Sequence, residues 1–186
     1  MDRDTPAKQI MKTLNDVVRY LGASSMAAWE FRKLPDTHGW HRFISMQGYY
    51  NLLYREEERE MIPFCRDSGV GIIPWSPLAS GVLARAWTDR RSNRERMDAV
   101  LADLVRRKAS EVDEVVVERV AELAGRYSVA MAIVALAWCL KKCVYPISGL
   151  HSVARIDEAV CSVGFRLNDE DSAYVEELYV PKEVIS

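Results

Sequence analysis

Short apolar runs alternate with amphipathic segments along the chain. Four runs of five or six residues are rich in β-branched or aromatic side chains and stop at a glycine, an amide, a tryptophan or a serine, as short buried strands do. The predicted strands are Val17–Gly22, Arg42–Gln47, Val70–Trp75 and Val144–Ser148.

In most of the remaining chain, the apolar residues are spaced as on one face of a helix. The predicted helices are Thr5–Asp16, Met26–Leu34, Arg55–Gly69, Val116–Tyr127, Val129–Leu140, Val153–Val160 and Asp169–Leu178. Thr5, Ser128 and Asn168 are the expected N-caps, and Pro35 is expected to end the second helix. The acidic residues after Arg55 should lie in the first turns of the third helix, where they complement its dipole. The charged segment from Ala84 to about Glu114 is expected to be a helical excursion from the repeat.

The alternation of strands and helices predicts an α/β fold with a parallel sheet built from four strand–helix units. In such sheets, ligands bind outside the carboxyl ends of the strands. We therefore expect one functional edge, which carries Ser24, Ser25, Gln47, residues 75–80 and residues 148–152.

Composition narrows the class of protein. The 186 residues are 49% hydrophobic and 28% charged, which suits a folded protein and excludes a disordered or collagen-like chain. A net charge of −2 provides no field that would attract nucleic acid or an anionic membrane, so neither is expected as a partner. The length predicts a single domain over residues 1–186, shorter than the roughly 250 residues of a complete (β/α)8 barrel.

The N-terminus and the cysteines indicate the compartment. Residues 1–6 are charged and carry no apolar signal, and the longest apolar run, 129–140, is too short to cross a membrane, so we expect a cytoplasmic protein. Reduced thiols are expected at all four cysteines, Cys65, Cys139, Cys143 and Cys161. Cys139 and Cys143 share a helix face, which favours a place in the core over a zinc site, and no metal is predicted.

The expected functional edge is rich in hydroxyl and amide groups and poor in titratable ones, which favours binding. Ser24 and Ser25 could bind an amide or a phosphate, although capping a helix is the commoner role of serine at such a position. Gln47 could bind a carboxamide or the backbone, and Trp75 could stack on a planar ring or lie in the core. The turn at residues 76–81 could present backbone N–H groups to a pyrophosphate.

Other polar groups are expected to be solvated. This set contains the histidines His38, His41 and His151, the acidic run Glu56–Glu58 and the basic cluster Arg90, Arg91, Arg94 and Arg96.

Three segments together carry a family pattern. They are Arg19–Met26 (RYLGASSM), Gly39–Arg85, which includes YYNLLYREEEREMIPF and PWSPLASG, and Tyr179–Pro181 (YVP). These segments resemble the C-terminal half of aldo-keto reductases. The pattern is most similar to fungal aryl-alcohol dehydrogenase-like and norsolorinic acid reductase-like members. That family folds as a (β/α)8 barrel and transfers a hydride between NADPH and an aldehyde, ketone or alcohol. The resemblance implies a partial barrel of about four C-terminal βα units, with the charged excursion and C-terminal helices added.

The resemblance implies which residues hold the nicotinamide end of NADPH. Ser24, Ser25 and Gln47 match the positions that hold the carboxamide. Trp75 matches the aromatic residue that stacks on the nicotinamide ring.

The resemblance also implies which residues hold the rest of the cofactor. Ser76, Leu78 and Ser80 match the loop that wraps the pyrophosphate. Arg155 and Glu158 match the positions that hold the 2′-phosphate and the adenine.

The sequence departs from the family pattern at several points. Ala159 replaces an asparagine, and His151 and Ser152 replace the usual Thr/Ser–Lys/Arg pair. The catalytic Asp, Tyr, Lys and His of the family have no counterpart here, so no catalytic residue is predicted and the N-terminal half of the barrel is expected to be absent. The junction at residues 18–19 lacks a turn residue and 32–37 is shortened, as in a truncated or mis-spliced product.

Three hypotheses about function follow from the sequence. The chain is either part of an NADPH-dependent oxidoreductase, impaired when isolated, or a non-catalytic module that binds a dinucleotide or a protein. In the third, two copies dimerise into a barrel, which would still lack the catalytic tetrad. Half a barrel would leave open strand edges, which favours self-association.

Overall fold

A computed structural model describes residues 4–89 and 111–184. The chain packs into two compact units: one comprises the described parts of 1–48, 57–73 and 184–186, and the other those of 49–56 and 74–183. The expected cluster of arginines at residues 90–96 lies outside the described residues, as does most of the predicted excursion.

The first unit contains a parallel sheet of three strands. In spatial order these are β1 (Leu21–Ser24), β2 (Phe43–Gln47) and β3 (Gly71–Ile72). The strands alternate with three helices, which are α1 (Ala7–Val17), α2 (Ala28–His38) and α3 (Met61–Ser68). A 3-10 turn, Glu56–Glu58, precedes α3. The prediction of parallel strands that alternate with helices is confirmed.

The second unit is mostly helical. Its helices are α4 (Glu111–Tyr127), α5 (Met131–Lys141), α6 (Val153–Gly164) and α7 (Asp169–Glu176), and a 3-10 segment spans Ala79–Ala84. Most of α5 is buried, so it is the core helix that its apolar run predicts. Tyr49 and Ile147 each form a parallel bridge to Trp75. The predicted fourth strand is therefore reduced to a single bridge at Ile147.

No single helix in the described ranges is long and apolar enough to span a membrane; α4 and α5 meet that test of length and composition only as a pair bent by 102°.

The structure corrects several predicted boundaries. Val17 is the last residue of α1, and hydrogen bonding of β1 begins only at Leu21, where its partner Phe43 begins β2. Helix α2 runs through Pro35 to His38 and ends at Gly39, which adopts φ +65°. Pro35 has no N–H to donate to the carbonyl four residues earlier, yet the helix continues for three more residues. Gly39 provides the left-handed residue that terminates it.

Three predicted helix starts are also wrong. The N-cap of α1 is Pro6 and not Thr5, and no side chain caps that helix. Ser128 is left-handed, with φ 53°, and Ala130 is the N-cap of α5, so Ser128 caps nothing. The acidic residues after Arg55 lie in the 3-10 turn that precedes α3. Asn168, by contrast, accepts a hydrogen bond from the Asp171 N–H at 2.7 Å and caps α7 as predicted.

Candidate functional site

The carboxyl ends of β1 and β2 carry the first group of predicted site residues. Ser24 pairs with Gln47 in the parallel ladder. The Ser24 Oγ donates to the Gln47 carbonyl at 2.8 Å, and the Ser25 N–H donates to the same oxygen at 3.2 Å. The structure therefore brings Ser24, Ser25 and Gln47 together at one edge of the sheet.

Neither serine caps the following helix. The N-cap of α2 is Ala27, whose side chain makes no capping bond, so the commoner role of serine is not the one found. Both serines are exposed, and Ser25 adopts φ 48°. The amide of Gln47 is half-buried and forms no hydrogen bond with any described residue, so it is available to a ligand.

Trp75 and the turn that follows it form the second group of site residues, and they lie in the other unit. Its ring lies 4.5 Å, centroid to centroid, from the ring of Tyr49, which in turn lies 4.8 Å from Tyr54. Both tyrosines are buried, whereas Trp75 is half-buried. Trp75 therefore lies at the border of the core, where one side is braced by aromatic rings.

The turn that follows Trp75 has an unusual backbone. Ser76, Ala79, Ser80 and Gly81 all have positive φ, at 54°, 47°, 58° and 92°. L-residues rarely adopt this conformation, and it is held only where the surroundings fix it. The residues matched to the pyrophosphate loop thus form a strained turn, with Leu78 at its centre.

The hydrogen bonds of this turn correct one prediction. The N–H groups of Ala79, Ser80 and Gly81 donate to Ser76 O, Ser76 Oγ and Leu78 O, so they are not presented to a ligand. The hydroxyl of Ser80 remains: it is buried and has no hydrogen-bond partner among the described residues. The Ser148 hydroxyl, at the end of the predicted fourth strand, is in the same condition.

Asn51 also contacts this turn, and the sequence interpretation missed it. Its Nδ2 donates to the carbonyl of Ser76 at 3.1 Å. The sequence does hold a signal for this contact, because Asn51 is a polar residue within the apolar run Tyr49–Tyr54. A polar side chain that is buried with such a run needs hydrogen-bond partners.

The third group of site residues lies in the first two turns of α6. Ser152 caps this helix by accepting from the Arg155 N–H, and the Arg155 Nη1 lies 3.9 Å from the Glu158 Oε2. The Arg155 side chain is 40% exposed. The structure brings Arg155 and Glu158 together as a loose ion pair that can open toward a ligand.

The remaining chemical candidates are structural or solvated. His38, His41 and His151 are exposed, as expected. Burial raises the pKa of Cys139 to about 12, which keeps this thiol protonated, whereas Cys143 is exposed because it follows α5 in a left-handed conformation, contrary to the prediction of a core position. Among the residues with assigned positions, no three His, Cys, Asp or Glu side chains form a metal site.

Glu57, in the first unit, has a raised pKa. Burial, with a smaller contribution from Glu60, raises the pKa of Glu57 to about 6. Its carboxyl group lies against Gly48, where an added Cβ would be 3.1 Å from the Glu57 Cδ. The expectation that the acidic run is solvated is wrong for Glu56 and Glu57. Glu56 is buried, and its Oε1 accepts from the Tyr179 hydroxyl and the Lys182 N–H, each at 2.6 Å. Glu57 is half-buried.

Comparisons with known proteins identify the family and the fold. The family model for the aldo/keto reductase family matches residues 1–180. The chain is 54% identical to the versiconal hemiacetal acetate reductase of Aspergillus parasiticus and 47% identical to a Schizosaccharomyces pombe protein provisionally named as an aryl-alcohol dehydrogenase. These alignments cover 99% and 97% of this chain but 56% and 57% of the relatives, so the chain spans about half of their length.

A solved structure agrees at the level of the fold. A thermostable aldo-keto reductase crystallised with the inhibitor epalrestat superposes with a TM-score of 0.70 at 18% identity, over 95% of this chain and 56% of that one. The predicted α/β class and partial (β/α)8 barrel are confirmed. Sequence and fold together show that this chain belongs to the aldo/keto reductase family.

Proposed function

We propose that this chain forms the NADPH-binding part of an oxidoreductase that transfers a hydride between NADPH and an aldehyde, ketone or alcohol. The observation that carries the proposal is the strained turn Ser76–Gly81, which follows the half-buried Trp75 and holds the unpaired hydroxyl of Ser80. A buried hydroxyl without a partner costs about 1–3 kcal/mol, and a phosphate oxygen could accept its hydrogen bond. This combination fits a pyrophosphate.

The other groups have complementary roles in the proposal. The free amide of Gln47, with the hydroxyls of Ser24 and Ser25, suits the donor and acceptor atoms of a carboxamide. The braced ring of Trp75 suits stacking on a planar heterocycle. Bound NADPH would supply the hydride, and these residues would fix the orientation of its nicotinamide.

Arg155 and Glu158 would determine the preference for NADPH over NADH. The pairing of Arg155 with Glu158 is long and partly exposed, so exchanging it for a 2′-phosphate costs little. Arg155→Ala should therefore weaken binding of NADPH at least tenfold and leave binding of NADH nearly unchanged, as measured by fluorescence titration with both cofactors.

The names of the relatives favour a class of substrate. One relative is named as a reductase of a hemiacetal acetate and another as an aryl-alcohol dehydrogenase, so we propose a carbonyl or alcohol substrate, and the second name favours an aromatic one. A role in secondary metabolism is part of this proposal.

A second function is favoured by the burial of Tyr49 and Tyr50. Tyr49 and Tyr50 are 4% and 1% exposed, and burial raises the pKa of Tyr49 to about 12. Neither phenol can protonate a carbonyl from these positions, and the sequence holds no match to the catalytic tetrad. The alternative is a module that binds the dinucleotide without turnover.

Titration with NADPH tests both functions. Binding should quench tryptophan fluorescence, and Trp75→Leu should abolish most of the quench, whereas Trp29→Leu, at an exposed site on α2, should not. Oxidation of NADPH that depends on an added aromatic aldehyde would support the oxidoreductase. Binding without oxidation would leave only the module, and absence of binding would contradict both.

We also infer that the partner of this chain, besides its small-molecule substrate, is a second copy of itself. Val153, Ile156, Val160 and Val163 form a stripe on α6 and are 46–73% exposed. An apolar stripe of this kind is commonly covered by another surface.

A further inference from the structure

Asn51 is a fully buried polar residue within an apolar loop. Its relative exposure is 0%, and its neighbours Leu52 and Leu53 are also buried. The side-chain Oδ1 accepts from the Leu53 N–H at 2.9 Å, and the Nδ2 donates to the Ser76 carbonyl at 3.1 Å. The backbone of Asn51 exchanges two hydrogen bonds with Tyr54, which closes the loop and fixes the direction of the amide.

Ser76 is the residue on which the strained turn depends. Its carbonyl accepts from both Asn51 and Ala79, and its Oγ accepts from the Ser80 N–H. Ser76 has φ 54°, whereas a serine without such contacts favours negative φ. These hydrogen bonds are therefore needed to hold Ser76 in the left-handed conformation. Asn51 is the one of these partners that lies outside the turn.

A second side chain fixes the other end of the turn. The Arg85 Nε donates to the Gly81 carbonyl at 3.0 Å, and an added Cβ at Gly81 would lie 3.0 Å from the Arg85 Nη2. The turn is therefore anchored at Ser76 by a buried amide and at Gly81 by a guanidinium.

We propose that Asn51 is a positioning residue for the pyrophosphate of the cofactor. It contacts no ligand itself and acts by holding Ser76 in the left-handed conformation that shapes the turn. This inference rests on the proposed function, because it assigns the strained turn to the pyrophosphate.

The test compares three ligands in one variant. Asn51→Ser, whose hydroxyl is too short to reach the Ser76 carbonyl, removes this donor and adds no charge that would itself repel a phosphate. We expect the Kd values of NADPH and of inorganic pyrophosphate to rise at least tenfold. The Kd of adenosine 2′-monophosphate, which lacks a pyrophosphate, should change less than twofold.

Ser162→Ala is the matched control. It also removes a buried side-chain donor to a backbone carbonyl, that of Ala159 at 2.6 Å, but on α6. It should leave all three Kd values near those of the wild type. If Asn51→Ser does not fold, Asn51→Ala, which also adds no charge, is measured with the same ligands.

The outcomes separate the two proposals. Failure of the wild-type chain to bind NADPH contradicts the proposed function. Equal binding of NADPH by the wild type and a folded Asn51 variant contradicts the role of Asn51 alone. Equal weakening of all three ligands would show a general loosening of the protein and would also contradict that role.

Discussion

Left-handed backbone at residues other than glycine is concentrated where predicted strands end. Within the described ranges such residues are Ser25, Ser76, Ala79, Ser80, Ser128 and Cys143, and the first four belong to or adjoin the residues matched to the cofactor site. Sequence placed Ser24, Ser25 and Gln47 at strand ends because strand periodicity is local. It could not show the turn conformation, since serine and alanine do not encode positive φ and a distant side chain, Asn51, imposes it.

Gln47 offers a direct test of the nicotinamide group. Its amide makes no hydrogen bond with the described residues, so Gln47→Ala should change the free energy of unfolding by less than about 0.5 kcal/mol. Loss of its hydrogen bonds to a carboxamide should raise the Kd of NADPH about tenfold. Urea unfolding and fluorescence titration measure the two effects. Unchanged affinity would remove Gln47 from the site.

Glu57 should make stability depend on pH. Its pKa is about 6 in the folded protein, against an ordinary value of 4.5, so the folded state holds the proton over a range in which the unfolded chain releases it. Stability is therefore lost as the pH rises from 4.5 to 6. Glu57→Gln removes this loss and should stabilise the protein by about 1–2 kcal/mol at pH 7.5.

The difference between Glu57→Gln and the wild type isolates this effect from other carboxylates. Burial raises the pKa of Glu176, but hydrogen bonds from Lys142, Ser172 and Trp138 outweigh it and lower that pKa. Glu176 therefore makes stability rise with pH, opposite to the effect of Glu57. Urea unfolding of both proteins at pH 4 and pH 7.5 makes the comparison. A stability difference that does not grow with pH would contradict the assigned pKa.

At the level of the elements, the residue types predicted the kind of each element, helix or strand, better than they predicted the residue at which it begins. Val17, Val18 and Tyr20 are typical strand residues, yet they are exposed and lie before β1, because pairing with β2 determines where the strand starts. Within β1, an added Cβ at Gly22 would be 2.7 Å from the Ser45 Oγ. Gly22, at which the predicted strand ends, instead lies inside β1, where a larger residue would have to displace the Ser45 side chain.

Replacement of glycine by alanine should have opposite effects on stability at Gly125 and at Gly69. Gly125 lies in α4 and an added Cβ would meet nothing within 4 Å, so Gly125→Ala should stabilise the protein by about 0.5–1 kcal/mol. Gly69 ends α3 with φ +69°, so Gly69→Ala should destabilise it by about 1 kcal/mol. Thermal unfolding measures both. Equal shifts in Tm would contradict the assigned helix boundaries.

At the level of the whole molecule, each compact unit has its own architecture: a three-stranded parallel sheet with helices in one, and helices around α5 in the other. The predicted single domain stays a prediction. Alternating periodicity was sufficient for the fold class because it depends on local sequence. The weakness of the fourth strand was not predictable, since only Ile147 of Val144–Ser148 forms a bridge and pairing is not a local property.

The stripe on α6 predicts association that depends on protein concentration. Burying a valine contributes about 1.5–3 kcal/mol, whereas burying an unpaired lysine is unfavourable, so Val160→Lys should keep the chain monomeric at concentrations at which the wild type associates. Ala154→Lys adds the same charge at an exposed position of the same helix, off the stripe, and should associate like the wild type. Sedimentation velocity over a concentration series distinguishes them. If the wild type and both variants associate to the same extent, the stripe is not the contact, because a lysine within the contact would weaken association.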